Sequence, residues 1–294
     1  MENKVQACFF RSFAKINLGI EVLGLRPDGY HEIRTLFQTI DMHDTLEFIQ
    51  APPGRVSLEG DDPSIPWDEN NLIYRAADLL RQRYSVEAGV MIRVKKVIPA
   101  GAGLGGGSSN AAVTLMALNK LWELNLPSEI LAQLAREIGA DVPFFLTGGL
   151  CLGEGRGDLI SPLPELPPLP CLIVLPSFSV STAEIYGYYR GRPSLTYQGE
   201  ASRIKEFLER RRFSRLVNEL EPVIFEFYPG LREIKSLLLH EEALVSLVSG
   251  TGSAVFSLFW EKSRALRAQE VLSQRGRVVL TETLPRIKYR QLLC

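Results

Sequence analysis

Pro99-Ala100-Gly101-Ala102-Gly103-Leu104-Gly105-Gly106-Gly107-Ser108-Ser109-Asn110-Ala111-Ala112 is the stretch that decides how this chain folds. Five glycines fall within seven positions, between an apolar strand-like run and an apolar helix-like run. Glycine loses more conformational freedom on folding than any other residue, so such a loop is costly unless its backbone goes where a Cβ cannot. The usual cause is close approach to phosphate. Backbone N–H groups then point at anionic oxygens, and the start of the following helix adds partial positive charge. Ser108 and Ser109 stand where that helix is expected to begin. A hydroxyl there can cap the helix, hold a phosphate oxygen or reach a magnesium ion. A flexible linker has similar composition, but is rarely clamped between two apolar elements.

Two familiar phosphate loops fit poorly. Gly101, Gly103 and Gly106 spell G-x-G-x-x-G, yet a dinucleotide fold needs a second strand after the helix, ending in an acid for the ribose. Here Glu123 closes the helix and residues 127–136 read as another helix. The G-x-x-x-x-G-K-[ST] pattern also fails, since no lysine precedes Ser108. The loop is of a third kind.

Outward from the loop, Val90 to Val97 is the strand that enters it and Ser108 to Leu121 the buried helix that leaves it. Residues Ser12 to Val22 alternate. Ala14, Ile16, Leu18, Ile20 and Val22 share one face, while Phe13, Lys15, Asn17, Gly19 and Glu21 share the other. Periodicity alone makes the second face a solvated one, with Lys15 and Asn17 side by side. A Pro27-Asp28-Gly29 turn leads to Tyr30 and His31. Thr35 to Asp41 and Asp44 to Gln50 read as strand pieces, and Asn71 to Tyr84 as a helix. Gly139 is expected to end the helix after Pro127 in a left-handed cap. Asp141, before Val-Pro, reads locally as a helix N-cap. The run Arg210-Arg211-Arg212 reads as a solvated helix face.

Prolines crowd residues 162–170, where they can neither continue a helix nor pair in a central strand. This divides the chain into 1–161 and 171–294, joined by an extended linker. Beyond it, short strands and helices alternate, with a hairpin formed by Ala243–Val248 and Ala254–Trp260 around Ser249-Gly250-Thr251-Gly252-Ser253. The order implies an α+β class.

Composition narrows the function. With 294 residues, a formal net charge of −1 and a pI near 6.4, the chain is expected to bind neither nucleic acid nor membrane. The cysteines Cys8, Cys151, Cys171 and Cys294 lack C-x-x-C spacing, and only three histidines accompany them. No Cys/His metal site is expected, and reduced thiols in the cytoplasm are the simplest account. No apolar run has transmembrane length, and no leader pattern is seen.

Ala14-Lys15-Ile16-Asn17-Leu18, the glycine loop and Ser249-Gly-Thr-Gly-Ser253, in that order, resemble the three motifs of the GHMP small-molecule kinases. The resemblance spans nearly the whole chain. Within that superfamily, Lys15-Ile-Asn17 followed by Arg26-Pro-Asp-Gly-Tyr-His31 looks like the branch that phosphorylates 4-diphosphocytidyl-2-C-methyl-D-erythritol in non-mevalonate isoprenoid synthesis. It implies a two-domain α+β fold, with an N-terminal domain like domain 2 of ribosomal protein S5 and a ferredoxin-like C-terminal domain. It also implies ATP with Mg²⁺, a small-molecule acceptor and transfer to the acceptor's 2-hydroxyl. By the same resemblance, Lys15 and Asp141 are the catalytic pair. The loop Pro99–Ser109, with Asn71 and Lys96, serves ATP. Asn17, Tyr30, His31 and Tyr186 serve the acceptor: Tyr30 and Tyr186 as slabs on either side of the cytosine, His31 at its edge. Gly250-Thr251-Gly252 supports the cleft from the second domain. A homoserine, mevalonate or sugar kinase of the same superfamily is the nearest alternative, and a nucleotide-binding regulator without turnover the next. Asp28-Gly-Tyr-His31 argues against the first, since those acceptors carry no base to stack. Retention of both Lys15 and Asp141 argues against the second.

Overall fold

The structure, a computed structural model, describes residues 7–190 and 202–293; Cys294 lies outside the described residues. Two long strands, β1 (Ala7–Leu25) and β2 (His31–Ala51), form an antiparallel hairpin on which the sheet of the first half is built. The two strand pieces expected at 35–50 are thus one continuous strand. Its length lets it serve two partners. One is β5 (Leu150–Glu154) at Thr35–Gln38, and the other is β4 (Gly89–Lys95) at Thr45–Ala51. β3 (Val56–Gly60) runs parallel to β4, and β6 (Leu159–Pro162) closes the sheet beside β5.

Four helices cover this sheet. They are α1 (Leu72–Arg83), α2 (Gly106–Leu121), α3 (Ser128–Ile138) and α4 (Val142–Thr147). Phe48, Val113, Leu118 and Phe144 lie in their shared core. α2 is apolar on nearly every side because it lies inside this layer, as its composition predicts. Its start differs from expectation. Gly105, in the left-handed region at φ 71°, is the N-cap, so the helix begins two residues before Ser108. α3 also ends differently: Gly139 is extended at φ −179°, with its N–H bonded to the Ala135 carbonyl.

The second half holds a four-stranded sheet in the order β10 (Arg277–Glu282), β7 (Pro170–Leu175), β9 (Val255–Leu258), β8 (Val245–Val248). This 4-1-3-2 order, with α5 (Thr182–Tyr189), α6 (Arg203–Arg210), α7 (Glu221–Phe227) and α8 (Pro229–His240) before β8 and α9 (Lys262–Leu272) after β9, is the ferredoxin-like arrangement. The hairpin expected around residues 249–253 is β8–β9. The basic run is less uniform than expected. Arg211 adopts a left-handed C-cap, its guanidinium lies 5.6 Å from the Phe207 ring and it donates to the Pro164 carbonyl.

Packing does not stop at the proline segment. Leu166 and Leu169 are buried in a core that joins Ile16 and Leu18 of β1 to Ile173, Leu247 and Phe256 of the second sheet. The last helix, α10 (Arg286–Leu292), returns to the first half. Tyr289 packs on Phe13 and donates to the Phe145 carbonyl, while Arg286 donates to the carbonyls of Gly148 and Leu150. The two halves share one interior, and the site lies where they meet.

Candidate active site

β1 supplies the first charged group. Its second face is not solvated: Lys15, Asn17 and Glu21 are all buried. The reason is long range, because the glycine loop, the β8–β9 turn and α6 together roof that face. The Lys15 amide donates to the Leu104 carbonyl at 3.0 Å. Its side-chain stem passes under Gly105, where an added Cβ would stand 3.0 Å from Lys15 Cγ and 2.8 Å from Phe145 Cζ. The ammonium reaches Asn17 Oδ1 at 2.5 Å and Asp141 Oδ2 at 3.5 Å, 5.5 Å from the centroid of the Phe37 ring.

Asp141 occupies the N-cap position of α4, yet its side chain makes no capping bond. The carboxylate is free of the helix and faces Lys15. The local expectation of an N-cap is therefore right about position and wrong about what the side chain does.

The glycine loop is fixed from both halves. Gly101, Gly103 and Gly105 have φ of 66°, 77° and 71°, a region that side chains with a Cβ rarely adopt. A Cβ on Gly103 would lie 2.0 Å from the Ser249 carbonyl oxygen. The Gly103 carbonyl accepts from the Ser249 hydroxyl, and the Ala102 carbonyl from the Ala254 amide. Ala102, Leu104 and Gly106 are buried, Gly107 is exposed and Ser108 is half-buried. Part of the glycine requirement is thus protein against protein rather than protein against phosphate. Ser109 is fully buried in the fourth position of α2, where its hydroxyl accepts from Ser12 at 2.7 Å; it caps nothing.

Of the two outlying ATP candidates, Lys96 pairs with the buried Asp44, whose other oxygen accepts from the amides of Val97 and Ile98. That holds its Nζ 3.3 Å from where a Cβ on Gly106 would be, beside the start of α2. Asn71 caps α1, accepting from the Ile73 amide and donating to the Pro66 carbonyl, so both ends of its amide are already engaged.

A cavity of about 570 Å³ opens from this point, with Lys15, Asp141, Gly103 and Gly250 at one end and Tyr30, His31 and Tyr186 at the other. The β8–β9 turn reaches it as expected. Asn218 donates to the Gly250 carbonyl, and the Thr251 and Thr182 hydroxyls lie 2.9 Å apart, tying the turn to α5. At the far end the aromatic arrangement differs from expectation. His31 stacks on Tyr186 with centroids 5.1 Å apart, while Tyr30 stands 56% exposed with the Arg156 guanidinium 4.9 Å from its ring. A flat base between two rings needs them about 7 Å apart, two carbon contact distances. His31 therefore covers the Tyr186 face it touches. Burial and the nearby Arg190 charge hold the His31 imidazole below its ordinary pKa, and burial, with Asp141 adding, pushes the Tyr186 phenol up.

Thr35, Asp44, Arg156, Asn218 and Ser249 carry or frame this geometry, and only Ser249 lies in a motif visible in the sequence. Three cysteines, Cys8, Cys151 and Cys171, are free, and burial pushes the Cys151 thiol up to about 11. Among the described residues no helix is long and apolar enough to cross a membrane.

The family model "GHMP kinases N terminal domain" matches residues 71–149, and "GHMP kinases C terminal" matches residues 195–278. The 4-diphosphocytidyl-2-C-methyl-D-erythritol kinase of Pelotomaculum thermopropionicum is 44% identical, covering 83% of this chain and 86% of its own. The one from Bacillus subtilis is 41% identical over 86% of this chain and 89% of its own. A crystal structure of 4-(cytidine 5'-diphospho)-2C-methyl-D-erythritol kinase superposes with a TM-score of 0.78 at 36% identity, over 94% of this chain and 99% of its own. Homoserine kinase from Cytophaga hutchinsonii, at 19% identity and a TM-score of 0.73 over 94% of this chain and 95% of its own, shares the fold. Sequence and structure agree that this chain belongs to the GHMP kinases, in the family of 4-diphosphocytidyl-2-C-methyl-D-erythritol kinases.

Proposed function

We propose that this chain transfers the γ-phosphoryl group of ATP to the 2-hydroxyl of 4-diphosphocytidyl-2-C-methyl-D-erythritol, a step of non-mevalonate isoprenoid synthesis in the cytoplasm. The observation that carries the reading is the meeting of Lys15 and Asp141, 3.5 Å apart, beside the glycine loop at one end of a cavity whose other end is aromatic. In this reading Asp141 accepts the proton of the attacking hydroxyl. Lys15 keeps that carboxylate ionised and stabilises the nascent alkoxide. Asn17, which lines the same cavity and is assigned to the acceptor, also takes a hydrogen bond from the Lys15 ammonium and holds it in place. Phosphoryl transfer asks chiefly for positioning and charge neutralisation, which suits a loop fixed from both halves by hydrogen bonds of the protein itself.

The nucleotide is assigned to the loop Pro99–Ser109, with Lys96 beside the start of α2. Asn71, engaged as a helix cap, shapes the wall there through α1: Leu72, the first residue of α1, stands 3.9 Å from a Cβ built on Gly107. Mg²⁺ is commonly bound by substrate phosphates plus one or two carboxylates rather than by an all-protein cage. The half-buried Ser108 hydroxyl is the protein oxygen assigned to Mg²⁺, and the ion would neutralise charge on the transferring group. Tyr30, His31 and Tyr186 are assigned to the cytosine.

The test offers γ-labelled ATP and Mg²⁺ with the cytidyl compound, homoserine, mevalonate and galactose in parallel. Label is expected in the cytidyl compound alone. Label in another acceptor would discard the aromatic assignment, and ATP binding without any label would leave a regulator.

A further inference from the structure

A chain of hydrogen bonds runs from the catalytic pair into the sheet and ends on Thr35. The Thr35 hydroxyl donates to the Gly19 carbonyl at 2.8 Å and accepts from Asn17 Nδ2 at 2.8 Å. Asn17 Oδ1 in turn accepts from Lys15 Nζ. The three groups meet because β1 carries an irregularity here: Asn17 pairs with Phe37 but Gly19 pairs with Leu36, so one residue is extra. Such a bulge re-aims side chains and frees backbone groups from the ladder. Thr35 and Asn17 are both buried, as is Lys15.

We infer that Thr35 is a positioning residue for phosphoryl transfer, fixing which way the Asn17 amide faces and thereby where the Lys15 ammonium points. A hydroxyl has a single proton. The Gly19 carbonyl takes it, so only lone pairs remain for Asn17, and the amide must offer its NH₂ to Thr35. Its oxygen is then turned to Lys15. Without the hydroxyl the flipped amide becomes available, and it would present N–H groups to an ammonium that can only donate. Lys15 would lose its fixed acceptor and its direction toward Asp141. Thr35 itself has no access to the cavity, so it acts through Asn17.

The inference rests on the proposed catalytic role of Lys15 and Asp141, and the experiment separates the two. Thr35→Val keeps shape and removes the hydroxyl. Its kcat for the cytidyl acceptor is expected to fall roughly 10- to 100-fold, the scale of a lost hydrogen bond to a charged group, while KM for ATP stays within about twofold. Thr35→Ser is expected to restore kcat to within about threefold. On an Asn17→Ala background, Thr35→Val is expected to cost little further, because residues in one network are not additive.

Wild-type kcat in Thr35→Val, equal loss in Thr35→Ser, or a full multiplicative loss on Asn17→Ala each overturns the relay. If circular dichroism shows Thr35→Val unfolded, Thr35→Cys, close in volume and a weak donor, is read by the same criteria. Failure of the wild-type protein to phosphorylate the cytidyl compound would instead remove the reading of the site.

Discussion

The phosphate end of the cavity and its aromatic end are held in opposite ways. At the first, Gly103 is pinned by the Ser249 hydroxyl, Lys15 by the Leu104 carbonyl and Asn17, and the turn at Gly250 by Asn218. All of these contacts except the Lys15–Asn17 bond join segments far apart in the chain. At the second, Tyr30 stands on a Pro-Asp-Gly turn, half in solvent, with Arg156 over its ring, and His31 rests on Tyr186. Groups that stabilise moving charge gain most when they are fixed beforehand, since no reorganisation is then needed during reaction. Groups that grip a flat base can be completed by the base itself. Rigidity is concentrated where the proton and phosphoryl group are proposed to move.

Asp141→Asn presses hardest on the rigid end. Turnover should fall about 10²- to 10⁴-fold, the range of general base catalysis, with KM for ATP nearly unchanged; steady-state kinetics near the wild-type rate would take the carboxylate out of the chemistry. Gly103→Ala attacks the same end through the backbone. A left-handed φ and a Cβ 2.0 Å from the Ser249 carbonyl should together destabilise the protein by about 2–5 kcal/mol. Urea unfolding indistinguishable from wild type would mean the loop is not pinned, and the contrast would vanish.

Tyr30→Ala probes the open end. It should weaken the cytidyl compound by about 1–3 kcal/mol, the scale of base–aromatic stacking, and leave the melting temperature almost unmoved because the ring is largely exposed. Calorimetric titration with equal affinity would place the base elsewhere. The smallest effect is in His31. Its folded pKa lies below the ordinary 6.5, so the unfolded chain takes up the proton first. The stability this linkage confers is complete above about pH 6.5 and is lost as the pH falls toward the folded value. The melting temperature of wild type should therefore drop slightly more than that of His31→Gln between pH 7 and 5.5. Parallel curves would show that His31 is not buried against Tyr186.

What could be seen in the sequence was what is local. The glycine loop was visible because left-handed backbone and close approach select one residue type at several neighbouring positions. β1 was visible by alternation, and the β8–β9 hairpin by its turn. The burial of Lys15 and Asn17 was not, since their roof comes from residues about 90 to 230 positions away. Asp141 looked like a cap because it occupies a cap's position, and only the fold shows its carboxylate turned to Lys15. The catalytic role proposed for it rests on family resemblance alone. Ser109 looked like a helix start because serines commonly are, whereas Gly105 takes that place. Thr35 and Asp44 carry no pattern: a hydroxyl and a carboxylate buried in a strand are recognisable only by what they touch. The stack of His31 on Tyr186 joins residues 155 positions apart, and nothing local announces it.

The path of α10 bears on how the protein is made. A ribosome delivers residues 1–161 long before 284–293, yet Phe13 shares its cluster with Leu284 and Tyr289, and the Phe145 carbonyl waits for the Tyr289 hydroxyl. The first half emerges with an interior seat empty and fills it only once residues 284–289 have followed, so its packing is completed well after most of its strands are made. A cut within the proline run 162–170 would yield a fragment with a hole in its interior rather than a free-standing domain.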